Sequence, residues 1–296
     1  MEPSISVVIN TFNEEKNLGY ALRSVCSWAD EIVVVDMRSQ DRTVEIARQF
    51  GAKVYLHDGP GFQYAPREFA IAQASCEWTL VLDADELVPL GLSYDLKRIA
   101  QSGATDVVLV PRENYLLGSL IRQTGWGPQD DPQARFFRKG FLLGSSRVHR
   151  DFEPVPGARV VRLPCEEGHA IVHFNYLDSE EFIEKLNRYT SLEAQDAQAR
   201  GERASAKSAL FHAGKEFAWR YWKRRGYRDG WRGFYLSLFM AFYRVVSCAK
   251  LKELAEVGGR QAAEKIYQEE AERILKEYSK PSGSRVLQQP GVSGSL

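Results

Sequence analysis

The sequence of 296 residues lacks an excess of charge of either sign, because 39 basic residues balance 39 acidic ones. Bulk charge therefore gives no reason to expect a nucleic-acid partner. Cysteine is also scarce, and the four residues that occur (Cys26, Cys76, Cys165 and Cys248) form no CxxC pair. This usage favours a reduced, cytoplasmic protein without a structural zinc site.

Several sequence signals are absent as well. The start, MEPSISVVIN, has no basic stretch followed by an apolar run of about 7–15 residues, so we expect no secretory signal. The chain shows no internal repeat and no GxxxxGK loop, and the second absence argues against a P-loop nucleotide site. Hydrophobic residues make up 44% of the sequence. At this length they are enough to form the core of one large domain or of two smaller ones.

Apolar runs alternate with segments of helical periodicity along the first 115 residues or so. Strands are predicted at ISVVIN, EIVVVD, KVYLH, WTLVLDAD and DVVLVPREN. Helices are predicted at 17–29, 43–50 and 66–74, from apolar residues at helical spacing. Strand alternating with helix predicts an α/β fold with a parallel sheet and right-handed crossovers.

The pattern changes after about residue 115. Shorter strands are predicted at ARFFRKG, ARVVRLP and HAIVHFNY, and from Ser179, which we expect to be an N-cap, the pattern is helical to about 278. The last segment is rich in Ser, Gly and Pro. We therefore expect an α/β domain over 1–178, a helical extension over 179–279 and a disordered tail over 280–296.

Polar clusters follow four of the predicted strands, namely TFNEE, DMRSQDRT, HDGPGF and DADE. Ligands of open α/β sheets bind outside the carboxyl ends of the strands. In the last cluster Asp83, Asp85 and Glu86 crowd together at the end of a buried strand, where like charges repel. A hard divalent cation shared with substrate phosphates would remove that repulsion. The alternative is a surface turn with solvated acids.

Three further features could bind a nucleotide. TFNEE offers short polar groups and N–H donors for a base, ribose or phosphate, although Asn13 could simply cap a helix. Asp36 could accept hydrogen bonds from a ribose or base, although Asp41 and Thr43 could simply start the next helix. Arg67 could pair with a diphosphate or could be a solvated surface residue.

The loop QTGWGPQDDPQARFFRK carries two carboxylates, Asp130 and Asp131, after an aromatic residue, Trp126. A loop carboxylate can act as a general base and an aromatic face can stack on a sugar; the alternative is a plain surface loop. His149 and His173 could each be a third metal ligand or a diphosphate contact, or a structural histidine.

A basic, aromatic segment occurs at 215–232, with seven basic residues, two acidic residues and six aromatic ones. The charge-free run GFYLSLFMAFY follows it, and its eleven residues are fewer than the about 20 that span a bilayer. The combination suits the interface of a membrane with anionic lipids, so we expect peripheral contact through 215–246. The alternative is a core helix packed on the sheet.

The segments SVVINTFNEEKNL, EIVVVDMRSQDRTVEIARQFGAKV and TLVLDADE resemble the nucleotide-binding half of family 2 glycosyltransferases with a GT-A fold. More narrowly, the W.P motif before RFFRK, the VH pair at 148–149, HFNYLDSEEFIEKLNRYTSLEA and RDGWRGF resemble the β-1,4-glucosyltransferases of lipopolysaccharide and lipooligosaccharide cores. The resemblance covers most of residues 4–255. It implies a GT-A (Rossmann-like), mostly parallel sheet with flanking helices, followed by a C-terminal helical extension.

The resemblance also implies roles for individual residues. Those expected in the nucleotide pocket are Thr11, Asn13, Glu15 and Asp36, with Arg67 and Asp83 at the diphosphate. Asp83 and Asp85 are expected to hold Mg²⁺ or Mn²⁺, with His149 as a further candidate ligand. Asp130 or Asp131 is the expected base. The family usually has Asp-Ser-Gly-Ser where this chain has DMRS, so Met37 and Arg38 are expected to reshape the pocket.

The expected function is therefore inverting, metal-dependent transfer of a hexose from a UDP-sugar to a lipid-linked or glycolipid acceptor of the cell envelope. The expected hexose is glucose. The expected place is the inner face of the cytoplasmic membrane, and no nucleic-acid partner is expected. Two alternatives stay open at this point. One is a Mg²⁺-dependent nucleotidyltransferase or phosphotransferase, and the other is a non-catalytic module that binds a membrane or a partner.

Overall fold

The structure is a computed structural model that describes residues 2–58, 65–130, 132–143 and 152–278. Asp131, His149 and the predicted tail at 280–296 lie outside the described residues. The strands, in chain order, are β1 (Ile5–Thr11), β2 (Glu31–Asp36), β3 (Lys53–Leu56), β4 (Trp78–Asp83), β5 (Glu86–Leu87), β6 (Val107–Val110), β7 (Arg112–Leu116), β8 (Ser119–Leu120), β9 (Gln133–Arg138), β10 (Leu142–Leu143), β11 (Glu153–Pro154), β12 (Val160–Arg162) and β13 (Ile171–Tyr176).

The α-helices are α1 (Leu18–Val25), α2 (Thr43–Gln49), α3 (Ala65–Gln73), α4 (Leu90–Ser102), α5 (Ser179–Ala199), α6 (Ala206–Ala218), α7 (Gly230–Glu256) and α8 (Arg260–Tyr278). A π-helical turn, Trp219–Lys223, and a 3₁₀ turn, Gly226–Asp229, connect α6 to α7. The alternation of strand and helix up to α4, and the helical character after β13, agree with the sequence pattern.

A seven-stranded sheet in the order β12-β6-β9-β4-β1-β2-β3 forms the centre of the α/β part. β1 pairs in parallel with β2 and β4, and β9 is antiparallel to its neighbours β4 and β6. Val7 and Ile9 pack on the side of the sheet that α1 and α4 cover, whereas Val8 packs on the side that α3 covers. Burial on both faces explains why β1 is apolar without alternation.

The predicted strand at 106–114 divides at Pro111 into two strands that belong to different sheets. β6 joins the large sheet, whereas β7 joins a four-stranded sheet in the order β5-β13-β7-β8. Proline has no N–H for a ladder hydrogen bond, so a strand ends readily at this residue. The two sheets meet beside the ends of β4 and β6, and this is where the candidate site lies.

Two details of the helices differ from the sequence prediction. α5 does begin at Ser179, but its N-cap is Asp178, whose carboxylate accepts a hydrogen bond from the backbone N–H of Glu181. Ser179 is therefore the first helical residue and not the cap. α4 was not predicted, although Leu92, Leu96 and Ala100 are buried at the i, i+4 spacing of a helix.

Two of the C-terminal helices, α5 and α7, pack against the small sheet. A separate apolar cluster joins Leu116 and Ile121, from β7 and the chain after β8, to Phe182 and Leu186 of α5 and Leu236 of α7. This packing holds α5 and α7 opposite the carboxyl ends of the large sheet. The space between them becomes a cavity.

Candidate functional site

The carboxyl ends of the central parallel strands lie side by side, as the polar clusters predicted. In the sheet register Asn10 lies opposite Asp83, and Thr11 lies opposite Asp36. The ends of β1, β2 and β4 therefore form one edge. Polar side chains from three distant segments of the chain meet there.

This edge forms one side of a cavity of about 710 Å³. Strand-end residues on its lining include Asn10, Glu14, Asp83 and Asp85. The opposite side is formed by α5, α7 and the π-helical turn. The cavity is large enough for a ligand the size of a sugar nucleotide or an oligosaccharide.

Asp83, at the end of β4, is held by two arginines. Arg67 of α3 donates to Oδ1, and Arg135 of β9 donates to Oδ2 at 2.8 Å. Burial alone would raise the pKa of Asp83, but the two guanidinium groups hold that pKa well below its usual range. Asp83 is thus a charged carboxylate at neutral pH, at the edge of the cavity.

Glu86 is fully buried behind Asp83 and completes a network that the sequence did not reveal. Its carboxylate accepts a hydrogen bond from the Asp83 backbone N–H at 2.9 Å. Arg112 and Arg135 each donate to its Oε1 at 3.2 Å. The three crowded carboxylates are therefore partly neutralised by protein cations. An arginine inside the apolar run QARFFR was the one available signal for Arg135.

Asp85 lies next to His173 of β13, with 3.4 Å between Oδ2 and Nε2. The other ring nitrogen, Nδ1, is 2.7 Å from the Oδ1 of Asn114. Because that oxygen can only accept, Nδ1 carries the proton, and in the neutral ring Nε2 is free to accept or to ligate. His173 therefore belongs to the site as one of its two candidate histidines, whereas His149 lies outside the described residues.

Within the described ranges, no group of three or more His, Cys, Asp or Glu side chains is arranged to hold a metal ion. The donor chemistry is nevertheless of the type that hard cations prefer, since Asp83 and Asp85 both present oxygens to one cavity. Beside them the amide of Asn10 is buried and neither its oxygen nor its nitrogen has a hydrogen-bond partner. A buried amide without a protein partner is satisfied by a water, an ion or a ligand.

The four predicted nucleotide-pocket residues connect the loops after β1 and β2 and do not line this cavity. Thr11 donates to Asp36 at 3.0 Å, and Asp36 also accepts from the Ser39 backbone N–H at 2.8 Å. Asn13, which has a positive φ of 56°, accepts from the Gln40 N–H through its side chain, and Glu15 likewise accepts from the Arg42 N–H.

The neighbouring residues Asn10, Phe12 and Glu14 face the cavity instead. Burial raises the pKa of Glu14, and the nearby charge of Asp85 adds to this effect although Asn17 opposes it. Alternation after β1 thus separates two sets of residues, and the sequence alone did not show which set would face the cavity.

Asp130 forms an ion pair with Arg224, which follows the π-helical turn. Its side chain is mostly buried, with 16% exposed, and it is not part of the cavity lining, whereas the neighbouring Trp126 is. Asp131, the other candidate base, lies outside the described residues.

A stripe of exposed apolar side chains runs along α7. Its members share one helical face, at the spacing i, i+3, i+4, i+7 and i+11, and they are Trp231, Phe234, Tyr235, Leu238 and Phe242. The stretch Gly226–Glu256 is long and apolar enough to cross a membrane by length and composition, a test that core helices of soluble proteins also pass. The predicted charge-free run therefore lies inside a much longer helix.

Comparisons with a family profile and with individual relatives agree on one protein family. Residues 6–170 match the profile described as "Glycosyl transferase family 2". An "Uncharacterized glycosyltransferase" of Rickettsia typhi is 30% identical over 270 residues, which cover 85% of this chain and 87% of the relative. The "Lipopolysaccharide core biosynthesis glycosyltransferase LpsC" of Rhizobium meliloti is 28% identical over 259 residues, which cover 83% and 91% of the two chains.

Among solved structures, the crystal structure of S. aureus TarS matches with a TM-score of 0.42 and 19% identity. The match covers 64% of this chain and 39% of TarS, so this chain spans well under half of that protein.

Proposed function

The chain belongs to the family 2 glycosyltransferases, and on that premise we propose that it transfers a hexose, namely glucose, from a UDP-sugar to a saccharide acceptor with inversion at the anomeric carbon. The observation that carries the proposal is the pair Asp83 and Asp85 at the carboxyl end of a parallel strand, on a cavity beside a buried amide without a partner. Family membership sets aside the nucleotidyltransferase and the non-catalytic module.

The donor diphosphate is assigned to the edge formed by Asp83 and Asp85. A Mg²⁺ or Mn²⁺ ion held by these carboxylates, with His173 as a further ligand, would supply positive charge beside the departing diphosphate. Arg67 now contacts Asp83 and is close enough to exchange that carboxylate for a phosphate oxygen. The buried pair of Arg135 and Glu86 keeps Asp83 in place during this exchange.

The nucleoside is assigned to the loops after β1 and β2. Thr11, Asn13, Glu15 and Asp36 fix these two loops to each other through the hydrogen bonds described above. In this proposal their remaining lone pairs and backbone groups contact the base and ribose. Met37 lines the cavity beside them and replaces the smaller residue that the family usually has.

The base is assigned to Asp130 or Asp131. One carboxylate takes the proton of an acceptor hydroxyl as that oxygen attacks the anomeric carbon. The bond from the anomeric carbon to the diphosphate oxygen breaks on the opposite face, and UDP leaves. Both aspartates follow Trp126, a residue of the cavity lining, within five positions of the sequence, which supports this assignment.

The acceptor is assigned to a lipid-linked saccharide or glycolipid of the cell envelope. The name of the Rhizobium meliloti relative refers to lipopolysaccharide core biosynthesis, which supports this class. The exposed apolar stripe on α7 supports peripheral contact with anionic lipid at the inner face of the cytoplasmic membrane, with exposed Lys223, Arg225 and Arg228 nearby. We propose the same division as before: a catalytic domain over 1–178 and a helical extension over 179–279.

An assay of nucleotide release tests the proposed reaction. The protein is incubated with UDP-glucose, Mn²⁺ and deacylated lipopolysaccharide fragments, and free UDP is measured with and without the fragments. We expect UDP release that depends on the fragments and a product heavier by one hexose in mass spectrometry. Release of pyrophosphate or inorganic phosphate in place of UDP would contradict the proposal.

A further inference from the structure

The motif RDGWRGF at 228–234 contains an aspartate, Asp229, whose carboxylate accepts three hydrogen bonds from residues more than 100 positions earlier in the chain. Oδ1 accepts from the Arg122 backbone N–H at 3.1 Å. Oδ2 accepts from the Gln123 backbone N–H at 3.1 Å and from the Thr124 hydroxyl at 2.6 Å. A carboxylate has lone pairs for all three donors, so one side chain holds three consecutive residues.

These three donors begin the loop at 122–130, which contributes to the candidate site. Trp126 of this loop lines the cavity, and Asp130 at its end is one of the two candidate bases. Asp229 itself is not among the residues that line the cavity. It therefore acts on the site through the loop, and not by contact with a ligand in the cavity.

The connection between α6 and α7 contacts the same loop at further points. Arg220 donates to the Thr124 carbonyl at 2.8 Å, and its guanidinium lies 4.4 Å from the ring centre of Trp126. The Thr124 N–H donates to the Arg224 carbonyl at 3.2 Å, and Arg224 also pairs with Asp130. The position of the loop is thus determined by the residues that precede α7.

The two segments approach too closely for side chains at two glycines. A Cβ at Gly226 would lie 3.0 Å from the hydroxyl oxygen of Thr124, which is fully buried. A Cβ at Gly125, whose φ is 84°, would lie 3.0 Å from Arg220 Nη1 and 3.1 Å from the Trp219 ring. Packing this close leaves the loop little room to shift while the contacts hold.

The loop is also joined to the strand-end side of the cavity. Asn114, which is fully buried, donates to the Trp126 carbonyl at 2.9 Å, and its Oδ1 lies 2.7 Å from His173 Nδ1. His173 in turn lies 3.4 Å from Asp85. A shift of the loop would therefore change the distance between a group on Trp126 and a group held at Asp85. A displacement of about 1 Å can lower a rate roughly 100-fold.

We propose that Asp229 is a positioning residue, which holds the 122–130 loop so that the acceptor hydroxyl reaches the anomeric carbon in line with the departing diphosphate. This inference rests on the proposed glycosyltransferase function, and Asp229 itself makes or breaks no bond. It gives the RDGWRGF motif, which lies outside the family match at 6–170, a role in acceptor placement.

Hydrogen exchange followed by mass spectrometry tests the hold on the loop without any substrate. In Asp229→Asn the amide oxygen can accept at most two of the three hydrogen bonds, and the amide nitrogen has no lone pair for the third. We expect the amides of 122–124 to exchange about tenfold faster or more. Unchanged exchange in this variant would overturn the proposal.

Asp178→Asn is the matched control, because it makes the same chemical change at the start of α5. The Asp178 carboxylate accepts a backbone N–H there, and asparagine caps a helix about as well as aspartate does. Exchange at 122–124 and the kinetic constants should stay within about twofold of wild type. An equal effect of both variants would mean that the change is not specific to the loop, and would contradict the positioning role.

Steady-state kinetics separate positioning from a merely structural role. With UDP-glucose, Mn²⁺ and deacylated lipopolysaccharide fragments, Asp229→Asn should raise KM for the fragments and lower kcat, each by about tenfold, and leave KM for UDP-glucose unchanged. Rates are expressed per UDP-binding site counted by calorimetry, since unfolding removes sites without changing KM. Kinetic constants equal to those of wild type despite faster loop exchange would show that Asp229 is structural only.

The Thr124 hydroxyl gives an independent test of the same contact. Thr124→Val removes the donor and keeps the shape, so kcat with the fragments should fall, whereas Thr124→Ser keeps the donor and should stay within about twofold of wild type. In Asp229→Asn/Thr124→Val the fall should be smaller than the product of the two single effects, because both break one contact. Effects that simply multiply would contradict the proposal.

The positioning role and the proposed reaction can fail separately. Faster exchange at 122–124 in Asp229→Asn, without UDP release by the wild type, would support the hold on the loop and contradict the reaction. UDP release by the wild type, with exchange and acceptor KM unchanged in Asp229→Asn, would support the reaction and overturn the positioning role.

Discussion

Asp83 illustrates what single residues contribute to the site and how far the sequence can reveal it. Three carboxylates after an apolar run were enough to predict a charged strand end. The partner that neutralises Asp83, Arg135, is 52 positions away in the chain and arrives through the antiparallel pairing of β9 with β4. The spacing of residues along the sequence does not predict that strand pairing.

The loops after β1 and β2 show that the sequence does not determine which individual residues face the cavity. TFNEE was correctly placed at a strand end beside Asp36. Which of its residues face the cavity depends on the local backbone, including the positive φ of Asn13. Asn10 and Glu14 face it, and a pattern of short polar residues does not distinguish these from Thr11 and Glu15.

The base is the residue whose role the structure constrains least, so it gives the first prediction. Asp130→Asn or Asp131→Asn should leave the Kd for UDP unchanged and lower kcat by roughly 100-fold, because removal of a general base costs about that much. Calorimetry and the UDP-release assay provide the two measurements. If both variants keep full turnover, neither aspartate is the base.

Arg224→Gln is the control that separates chemistry from loop positioning. It breaks the ion pair with Asp130 and leaves both carboxylates in place. An equal fall of kcat in Arg224→Gln and Asp130→Asn would mean that Asp130 positions the loop. The base would then be Asp131.

Among the elements, the start of α7 is the most tightly constrained. Gly233 lies in its first turn, and a Cβ at this position would overlap the carbonyl oxygen of Gly226 in the preceding 3₁₀ turn. Gly233→Ala should therefore lower the free energy of unfolding by about 1–3 kcal/mol or more, as overpacking does. Urea denaturation followed by circular dichroism measures this change.

Gly214 supplies a matched control inside α6. Nothing lies within 4 Å of a Cβ built there. Because alanine favours a helix interior over glycine, Gly214→Ala should stabilise the protein by up to about 1 kcal/mol. If Gly233→Ala is as well tolerated as Gly214→Ala, the close approach of α7 to the turn is not present in solution.

Helices and strands were predicted correctly where the pattern of apolar residues is strong. The prediction was wrong where a single residue or packing against distant residues determines where an element ends or whether it forms. β1, β2 and β4 are apolar on both faces and follow their predicted runs closely. One run at 106–114 became β6 and β7 because Pro111 ends the ladder. α4 has its buried residues at helical spacing, but its exposed Leu90 and Tyr94 weaken the contrast between its two faces.

On the scale of the whole molecule, the C-terminal helices present two distinct surfaces. One completes the cavity and the other carries the apolar stripe of α7. Trp231→Ser/Phe242→Ser removes two stripe residues that are 56% and 52% exposed. We expect co-sedimentation with phosphatidylglycerol vesicles to weaken by about tenfold, because two aromatic side chains no longer transfer from water to lipid.

Leu90→Ser/Tyr94→Ser is the matched control for that measurement, since these residues of α4 are 65% and 63% exposed. It should sediment with vesicles like wild type. Vesicle binding that is equal in wild type and both variants would show that the stripe does not contact lipid.

The central claim is that Asp83 and Asp85 hold a metal-dependent nucleotide-sugar site, and titration calorimetry tests it most directly. UDP, GDP and dTDP are titrated with and without Mn²⁺ into wild type and Asp85→Ala, after circular dichroism has shown that the variant is folded. We predict UDP binding that requires Mn²⁺ in wild type and is lost in Asp85→Ala. UDP binding of equal strength in both proteins, or no nucleotide binding under any condition, would contradict the account.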